Sequence, residues 1–215
     1  MSTPEQIVVR RGDPEALLAR AAALAAAGGR RLLGITGSPG AGKSTLAAEL
    51  VEALGERAVL VPMDGFHLAQ ARLEALGLAD TKGAIDTFDG AGFVHLLRRL
   101  HTADEETVHA PTFRRDLEEP IAGAIAVPRT VPLVVVEGNY LLADEPPWNE
   151  VRTLLDETWF VDPGADLRRE WLVARHVAFG RDAAAAAERT DGSDQVNATL
   201  VERTRHLADV IVTGS

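Results

Sequence analysis

The chain has 215 residues, of which 46% are hydrophobic and 25% charged, the size and composition of one folded domain. These values exclude a disordered chain, a collagen-like chain and a coiled-coil rod. Acidic residues number 32 against 22 Lys and Arg, and the net charge of −10 opposes binding to nucleic acid or anionic lipid. The absence of cysteine excludes disulfides, thiolate metal sites and a thiol nucleophile.

The N-terminal segment has two interpretations. A pair of arginines followed by an Ala- and Leu-rich run at 16–27 resembles an export signal. Arg20 interrupts that run, however, and Asp13 is a good N-cap for a helix with Pro14 in its first turn. No apolar run reaches the roughly 20 residues of a membrane-spanning helix. We therefore predict an N-terminal helix, no membrane association and a cytoplasmic protein.

Short apolar runs alternate with amphipathic segments along the rest of the chain. The predicted strands are 31–36, 58–62, 131–136, 159–161 and 209–212, and the predicted helices include 43–54 and 92–100. Apolar strands that alternate with helices are typical of a parallel sheet covered on both faces. We predict an α/β fold with a five-stranded parallel sheet. No linker divides the chain, so residues 1–215 are expected to form one domain.

A glycine-rich motif lies between the first predicted strand and the helix 43–54. The pattern GxxxxGK[ST] is matched by Gly37, Ser38, Pro39, Gly40, Ala41, Gly42, Lys43, Ser44 and Thr45. Such a loop directs backbone N–H groups at phosphate oxygens, and the following helix adds the positive end of its dipole. Lys43 would neutralise the β- and γ-phosphates, and the Ser44 hydroxyl would bind magnesium. The motif predicts a P-loop fold that binds a nucleoside triphosphate.

Two of the apolar strands are followed by a carboxylate. Asp64 comes after the strand 58–62, and Glu137 comes after the strand 131–136. Because the carboxyl ends of parallel strands meet at one edge of a sheet, both acids are expected at the mouth of the phosphate loop. One can bind the metal, and the other can accept a proton from a substrate hydroxyl. The structural alternative for each is a helix N-cap or a loop ion pair.

Five further phrases follow one another along the chain. They are Met63-Asp64-Gly65-Phe66-His67-Leu68, Lys82-Gly83, Asp86-Thr87-Phe88-Asp89, Glu118-Glu119-Pro120 and Val136-Glu137-Gly138-Asn139-Tyr140-Leu141-Leu142. With the phosphate loop they resemble the superfamily of uridine kinase, phosphoribulokinase and pantothenate kinase. Within it they resemble most a bacterial subgroup of nucleoside/nucleotide kinase-like proteins, some of them called fructose-transport kinases. The resemblance covers nearly the whole chain and implies ATP and Mg²⁺.

The resemblance also implies roles for individual residues. Asp64 matches the general base, and Glu137 matches the acidic residue near magnesium. The segment 163–190 matches an arginine-rich lid, in which Arg168 would bind the nucleotide and Arg175 would act in catalysis, since a guanidinium over the phosphates stabilises the transition state. The alternative is a solvated helix face, but a basic cluster in so acidic a chain favours the lid.

The shared phrases and the segment around Arg115 supply candidate residues for the acceptor pocket. These are His67, Lys82, Asp86, Phe88, Arg115, Asn139 and Tyr140. The alternative for His67 is a capping or core role, and the alternative for Tyr140 is packing beneath the lid. Arg114 stands where the subgroup has an aspartate, and this departure predicts a more positive pocket.

Together these features predict an ATP-dependent kinase that phosphorylates a hydroxyl of a small metabolite. The acceptor would be a nucleoside such as uridine, or a sugar- or pantothenate-like alcohol, and a homodimer is compatible with the prediction. The rival is a regulatory NTPase switch without an acceptor, but the chain lacks a DxxG motif after the third predicted strand and an NKxD motif. The net charge of −10 opposes a third interpretation, a nucleic-acid-linked NTPase.

Overall fold

The computed structural model describes residues 6–214, in which strands and helices alternate. The strands are β1 Ile7–Arg10, β2 Arg31–Thr36, β3 Ala58–Pro62, β4 Thr107–Arg114, β5 Glu119–Pro128, β6 Leu133–Glu137, β7 Glu157–Asp162 and β8 Val210–Thr213. The helices are α1 Pro14–Ala26, α2 Lys43–Leu54, α3 Gln70–Leu76, α4 Gly90–Thr102, α5 Val151–Leu154, α6 Ala165–Ala178, α7 Ala183–Asp191 and α8 Ser193–Glu202. Within residues 6–214, no helix combines the length and the apolar character needed to cross a membrane.

The main sheet is parallel, in the order β1-β8-β7-β2-β6-β3. The predicted α/β fold is confirmed, but the predicted number of strands is wrong: the sheet has six strands, because β1 extends one edge. β1 has only four residues, most of them exposed, so no long apolar run marks it in the sequence. Its pairing with β8, from Ile7 opposite Val210 onwards, is a tertiary contact.

The two faces of the sheet bury separate apolar cores. Along β2, Leu32 packs in the core that includes α4, whereas Leu33 and Ile35 pack in the core that includes α1 and α2. Successive side chains of a strand point to opposite faces, which explains the alternation. All residues of β6 are buried, as expected for an inner strand of a parallel sheet.

An antiparallel hairpin of β4 and β5 lies outside the main sheet. The sequence pattern does not predict it, because Pro111, Pro120 and Pro128 lie within its strands and the register shifts between Ala110 and Thr112. Proline cannot donate a hydrogen bond to the ladder, so such segments resemble loops. The hairpin packs against the turn that follows β3, and it thereby reaches the edge of the sheet where the phosphate loop lies.

Candidate active site

The phosphate loop joins β2 to α2. Gly42 caps the helix with a φ of +87°, in the left-handed region that glycine adopts without strain. Lys43 is buried, and its ammonium donates a hydrogen bond to the carbonyl oxygen of Ser38 at 3.1 Å. The loop therefore holds a desolvated cation beside the first amide groups of a helix, an arrangement suited to phosphate.

Glu137 approaches the loop from the end of β6. It pairs with Ile35 of β2 and with Pro62 of β3, so three strands end together here. Burial raises the pKa of the Glu137 carboxyl, and the nearby Lys43 ammonium opposes that rise. Burial likewise lowers the pKa of Lys43, and Glu137 opposes that shift. The two buried groups thus favour each other's charged form.

Asp64 lies just beyond β3, in the short turn Met63–Phe66, with its side chain 33% exposed. Nη2 of Arg115 is 3.5 Å from its Oδ2. Gly65 permits this contact, because a Cβ at position 65 would lie only 2.6 Å from the carbonyl oxygen of Pro111 in the hairpin. The close approach of the hairpin therefore delivers Arg115 to the carboxylate that follows β3.

A cleft of about 620 Å³ opens in front of the loop. Most of the predicted site residues line it: Pro39, Lys43, Ser44, Asp64, His67, Lys82, Phe88, Arg115, Glu137, Asn139 and Arg175. They come from the loop, the ends of β3 and β6, the segment between α3 and α4, the hairpin and α6. The fold thus brings together groups that are far apart in the sequence.

His67 belongs to an aromatic wall of this cleft. Its Nδ1 lies 2.8 Å from the carbonyl oxygen of Asp64, so this nitrogen carries the hydrogen and donates it. The ring centroid is 4.0 Å from that of Phe88 and 4.8 Å from that of Phe113. Burial lowers the pKa of His67, against the influence of Asp64. The residue combines the capping role and the pocket-lining role that the sequence left as alternatives.

Lys82 contacts the same aromatic wall at Phe113. Its ammonium is 5.2 Å from the ring centroid of Phe113, over the aromatic face. It donates hydrogen bonds to the carbonyl oxygen of Glu118 at 2.7 Å and to Oε1 of Gln70 at 3.3 Å. These contacts fix the ammonium at the wall of the cleft.

Two predicted acceptor residues, Tyr140 and Asp86, line a different cavity of about 580 Å³. Tyr140 is 1% exposed, and its hydroxyl donates a hydrogen bond to the carbonyl oxygen of Gly83 at 2.7 Å. Burial raises the pKa of this phenol. Tyr140 therefore supports the segment that borders the acceptor cleft, in keeping with the packing alternative. Asp86 is exposed in a short turn.

Arg168 and Arg114 also lie outside the cleft. Arg168 is 5% exposed and donates hydrogen bonds to the carbonyl oxygen of Pro39 at 3.3 Å and to Oε1 of Gln195 at 2.5 Å. It therefore contacts the phosphate loop on a side that does not face the cleft. Arg114 pairs with Asp116 in solvent, so the positive charge expected from Arg114 does not reach the cleft.

The cleft also contains residues that were not singled out from the sequence. They are Phe179, Arg181, Arg189, Asp194 and Asn197, among others. The two arginines belong to the basic cluster that is visible in the sequence, and counting charge along the lid is the signal that identifies them. Phe179, Asp194 and Asn197 carry no comparable signal.

A second cleft, of about 450 Å³, lies on another side of the phosphate loop. Gly42 and Thr45 of the loop line it, together with Leu167 and Trp171 of α6. Trp171 is 42% exposed. Its indole offers a flat apolar surface of the kind on which an aromatic ring stacks.

Oxygen donors suited to a metal converge on the first cleft. They are the Ser44 hydroxyl and the carboxylates of Glu137 and Asp64, and oxygen ligands are those that Mg²⁺ prefers. Among residues 6–214, no group of three or more His, Asp or Glu could hold a metal ion alone. The donor set fits Mg²⁺, which usually binds through one or two carboxylates and takes its other ligands from substrate phosphates and water.

Known proteins are similar to this chain in sequence and in fold. The model of the Phosphoribulokinase / Uridine kinase family matches residues 32–214. A "putative uridine kinase" of Schizosaccharomyces pombe is 33% identical over 194 residues, covering 85% of this chain and 83% of that protein. The "ATP-dependent kinase-like protein notR'" of Aspergillus versicolor is 36% identical over 162 residues, covering 71% of this chain and 94% of that protein.

A solved structure extends the comparison. The crystal structure of a "putative fructose transport system kinase" from Silicibacter sp. TM1040 has a TM-score of 0.78 and 39% identity, covering 85% of this chain and 89% of that one. The parallel sheet and the phosphate loop define a P-loop kinase. The chain belongs to the phosphoribulokinase/uridine kinase family, and it is an ATP-dependent kinase of a small molecule.

Proposed function

We propose that the protein transfers the γ-phosphate of ATP to a hydroxyl of a small metabolite, with Asp64 as general base and Mg²⁺ as the metal. The observation that carries the proposal is the presence of Asp64 in the same cleft as Lys43 and Glu137, in front of the phosphate loop. A regulatory switch needs no such space beyond its nucleotide. A positioned carboxylate beside that space is what a hydroxyl nucleophile requires.

The residues around the phosphate loop would bind ATP, the phosphate donor. The loop amides and Lys43 would bind the β- and γ-phosphates. Ser44 and Glu137 would hold Mg²⁺, which would neutralise charge on the phosphates. Arg175 would contact the transferring phosphoryl group. The adenine base would occupy the second cleft and stack on Trp171.

The acceptor side is built around Asp64. Its carboxylate would accept the proton of the attacking hydroxyl, and Arg115 at 3.5 Å would orient it. His67, Asn139 and Lys82 line the same space and can hydrogen-bond a polar substrate. Its volume suits a small metabolite, such as a nucleoside like uridine or a sugar- or pantothenate-like alcohol.

The test measures ADP release from Mg-ATP with and without a panel of hydroxyl compounds that includes uridine, fructose, ribose 5-phosphate, glycerate and pantothenate. We expect ADP release to require an acceptor and to match the phosphorylated product, as measured by mass spectrometry. Lys43→Ala should abolish transfer, whereas Arg57→Ala, in the exposed turn that follows α2, serves as control. ATP hydrolysis at full rate without any acceptor would favour the switch and reject the proposal.

A further inference from the structure

The acceptor side of the cleft carries more cations than acids. Away from the loop its wall carries Lys82, Arg115, Arg181 and Arg189, and the acids beside them are Glu118 and Asp64. A further acid of this region, Asp194, is buried and paired with His176 at 2.7 Å. This excess of positive charge stands out in a chain with a net charge of −10.

Two of these four cations form ion pairs within the protein, Lys82 with Glu118 at 3.7 Å and Arg115 with Asp64, whereas Arg181 and Arg189 differ from them. Among residues 6–214, Arg181 and Arg189 have no acidic partner, whereas the neighbouring Arg169 pairs with Asp191. Arg189 donates one hydrogen bond, to the carbonyl oxygen of Lys82 at 3.1 Å. Arg115 reaches Asp64 at 3.5 Å and stacks over Phe179, with 5.7 Å to the ring centroid. Donors of the two lid arginines therefore remain for a ligand.

The position of the cluster separates it from the donor nucleotide. Arg189 is tied to Lys82, and Lys82 is tied to Gln70 and to Glu118 in the β4–β5 connection. Among residues 6–214, no hydrogen bond or ion pair joins Lys82 or Arg189 to the phosphate loop, which has Lys43 and its own amides for the triphosphate. Lys82 and Arg189 therefore mark the side of the cleft left for the acceptor, and Arg181 lines the same cleft.

We infer that the acceptor is an anionic hydroxyl compound, whose phosphate or carboxylate binds to Arg181 and Arg189 while its hydroxyl meets Asp64. This inference rests on the proposed function and specifies its substrate class. A guanidinium forms charge-assisted, often bidentate hydrogen bonds with either anion. A neutral nucleoside or sugar offers these guanidinium groups no such charge-assisted hydrogen bond.

The test compares matched pairs that differ in one anionic group: ribose 5-phosphate with ribose, and pantothenate or glycerate with pantothenol or glycerol. Dissociation constants are measured by calorimetry with Mg²⁺ and a saturating non-hydrolysable ATP analogue, which keeps anions out of the phosphate loop. We expect at least one anionic compound to bind about 10- to 100-fold more tightly than its neutral partner. The pair that shows the difference distinguishes phosphate from carboxylate.

Arg181→Gln and Arg189→Gln should remove most of that preference and leave the affinity for the ATP analogue unchanged, with Arg169→Gln as control. Equal binding within every pair, including no binding of either member, would overturn the inference. So would a loss of analogue affinity in the two variants with the anion preference intact. Failure of the kinase proposal would be separate, because it would appear as the absence of acceptor-dependent ADP release.

Discussion

The guanidinium of Arg168 donates a hydrogen bond to the carbonyl oxygen of Pro39, at 3.3 Å, from behind the phosphate loop. A second hydrogen bond joins it to Gln195 of α8. Arg168 therefore links the lid helix α6, the loop and α8. The geometry favours a supporting role for this residue over direct contact with the nucleotide.

Replacing Arg168 tests that role. Arg168→Gln should lower the free energy of unfolding by about 1–3 kcal/mol, because buried hydrogen-bonding groups lose their partner. It should also weaken ATP binding, since the loop loses its support. Urea denaturation and ATP titration measure the two effects. Arg169→Gln is the control on the same helix, and its pair with Asp191 is exposed, so it should change little. Unchanged stability in Arg168→Gln would contradict the supporting role.

Asp64→Asn tests the general base. The amide keeps the size of the carboxylate but cannot take up the proton, so turnover should fall about 10²- to 10⁴-fold while affinity for Mg-ATP changes little. Glu137→Gln is the contrasting variant: its loss of activity should be partly restored by added Mg²⁺. If added Mg²⁺ instead rescues Asp64→Asn, Asp64 is a metal ligand and Glu137 becomes the candidate base.

Arg175 tests the lid. Because its contact should tighten as charge develops on the transferring group, Arg175→Ala should lower kcat on the order of 10²-fold and change ATP affinity much less. Steady-state kinetics and equilibrium ATP binding separate these quantities, with Arg169→Ala as the matched control. An unchanged kcat with weaker ATP binding would mean that Arg175 serves only ground-state binding.

Replacing Trp171 tests where the adenine base of ATP binds. Trp148 and Trp159 are 3% and 0% exposed, whereas Trp171 is 42% exposed. An ATP analogue should therefore change the fluorescence of Trp171, and Trp171→Phe should remove most of this signal. Trp171→Ala should weaken nucleotide binding about 3- to 10-fold through lost stacking. If Trp171→Phe kept the full fluorescence change, the adenine base would bind elsewhere.

His67 should make stability depend on pH. Burial lowers its pKa in the folded protein below the ordinary value of 6.5. As pH falls below about 6.5, the unfolded chain therefore binds a proton that the folded His67 does not bind, and the free energy of unfolding decreases. His67→Gln should lose less stability than the wild type as pH falls below that value, as measured by urea denaturation. His101→Gln, at the exposed end of α4, is the control; identical pH profiles for the wild type and His67→Gln would contradict the prediction.

The sequence alone determined the features that depend on residues close together in the chain: the phosphate loop, α2 and five strands of the sheet. The phosphate loop is readable because nine consecutive residues carry its chemistry, and α2 begins at Lys43 as predicted. Continuous apolar runs identified five strands of the sheet, since inner parallel strands are buried on both faces. The convergence of Asp64 and Glu137 followed from the rule that parallel strands end at one edge.

Tertiary packing decided what depends on distant residues and on side-chain direction. The edge strand β1 pairs with residues about 200 positions away, and the hairpin delivers Arg115 to Asp64 only because Gly65 admits its backbone. Arg168 and Arg175 lie on one face of α6, two helical turns and about 10 Å apart along its axis. Which part of that face meets the phosphate loop, as Arg168 does, and which meets the cleft, as Arg175 does, depends on where α6 lies against its neighbours. That placement is set by packing between helices, and no local pattern in the sequence encodes it.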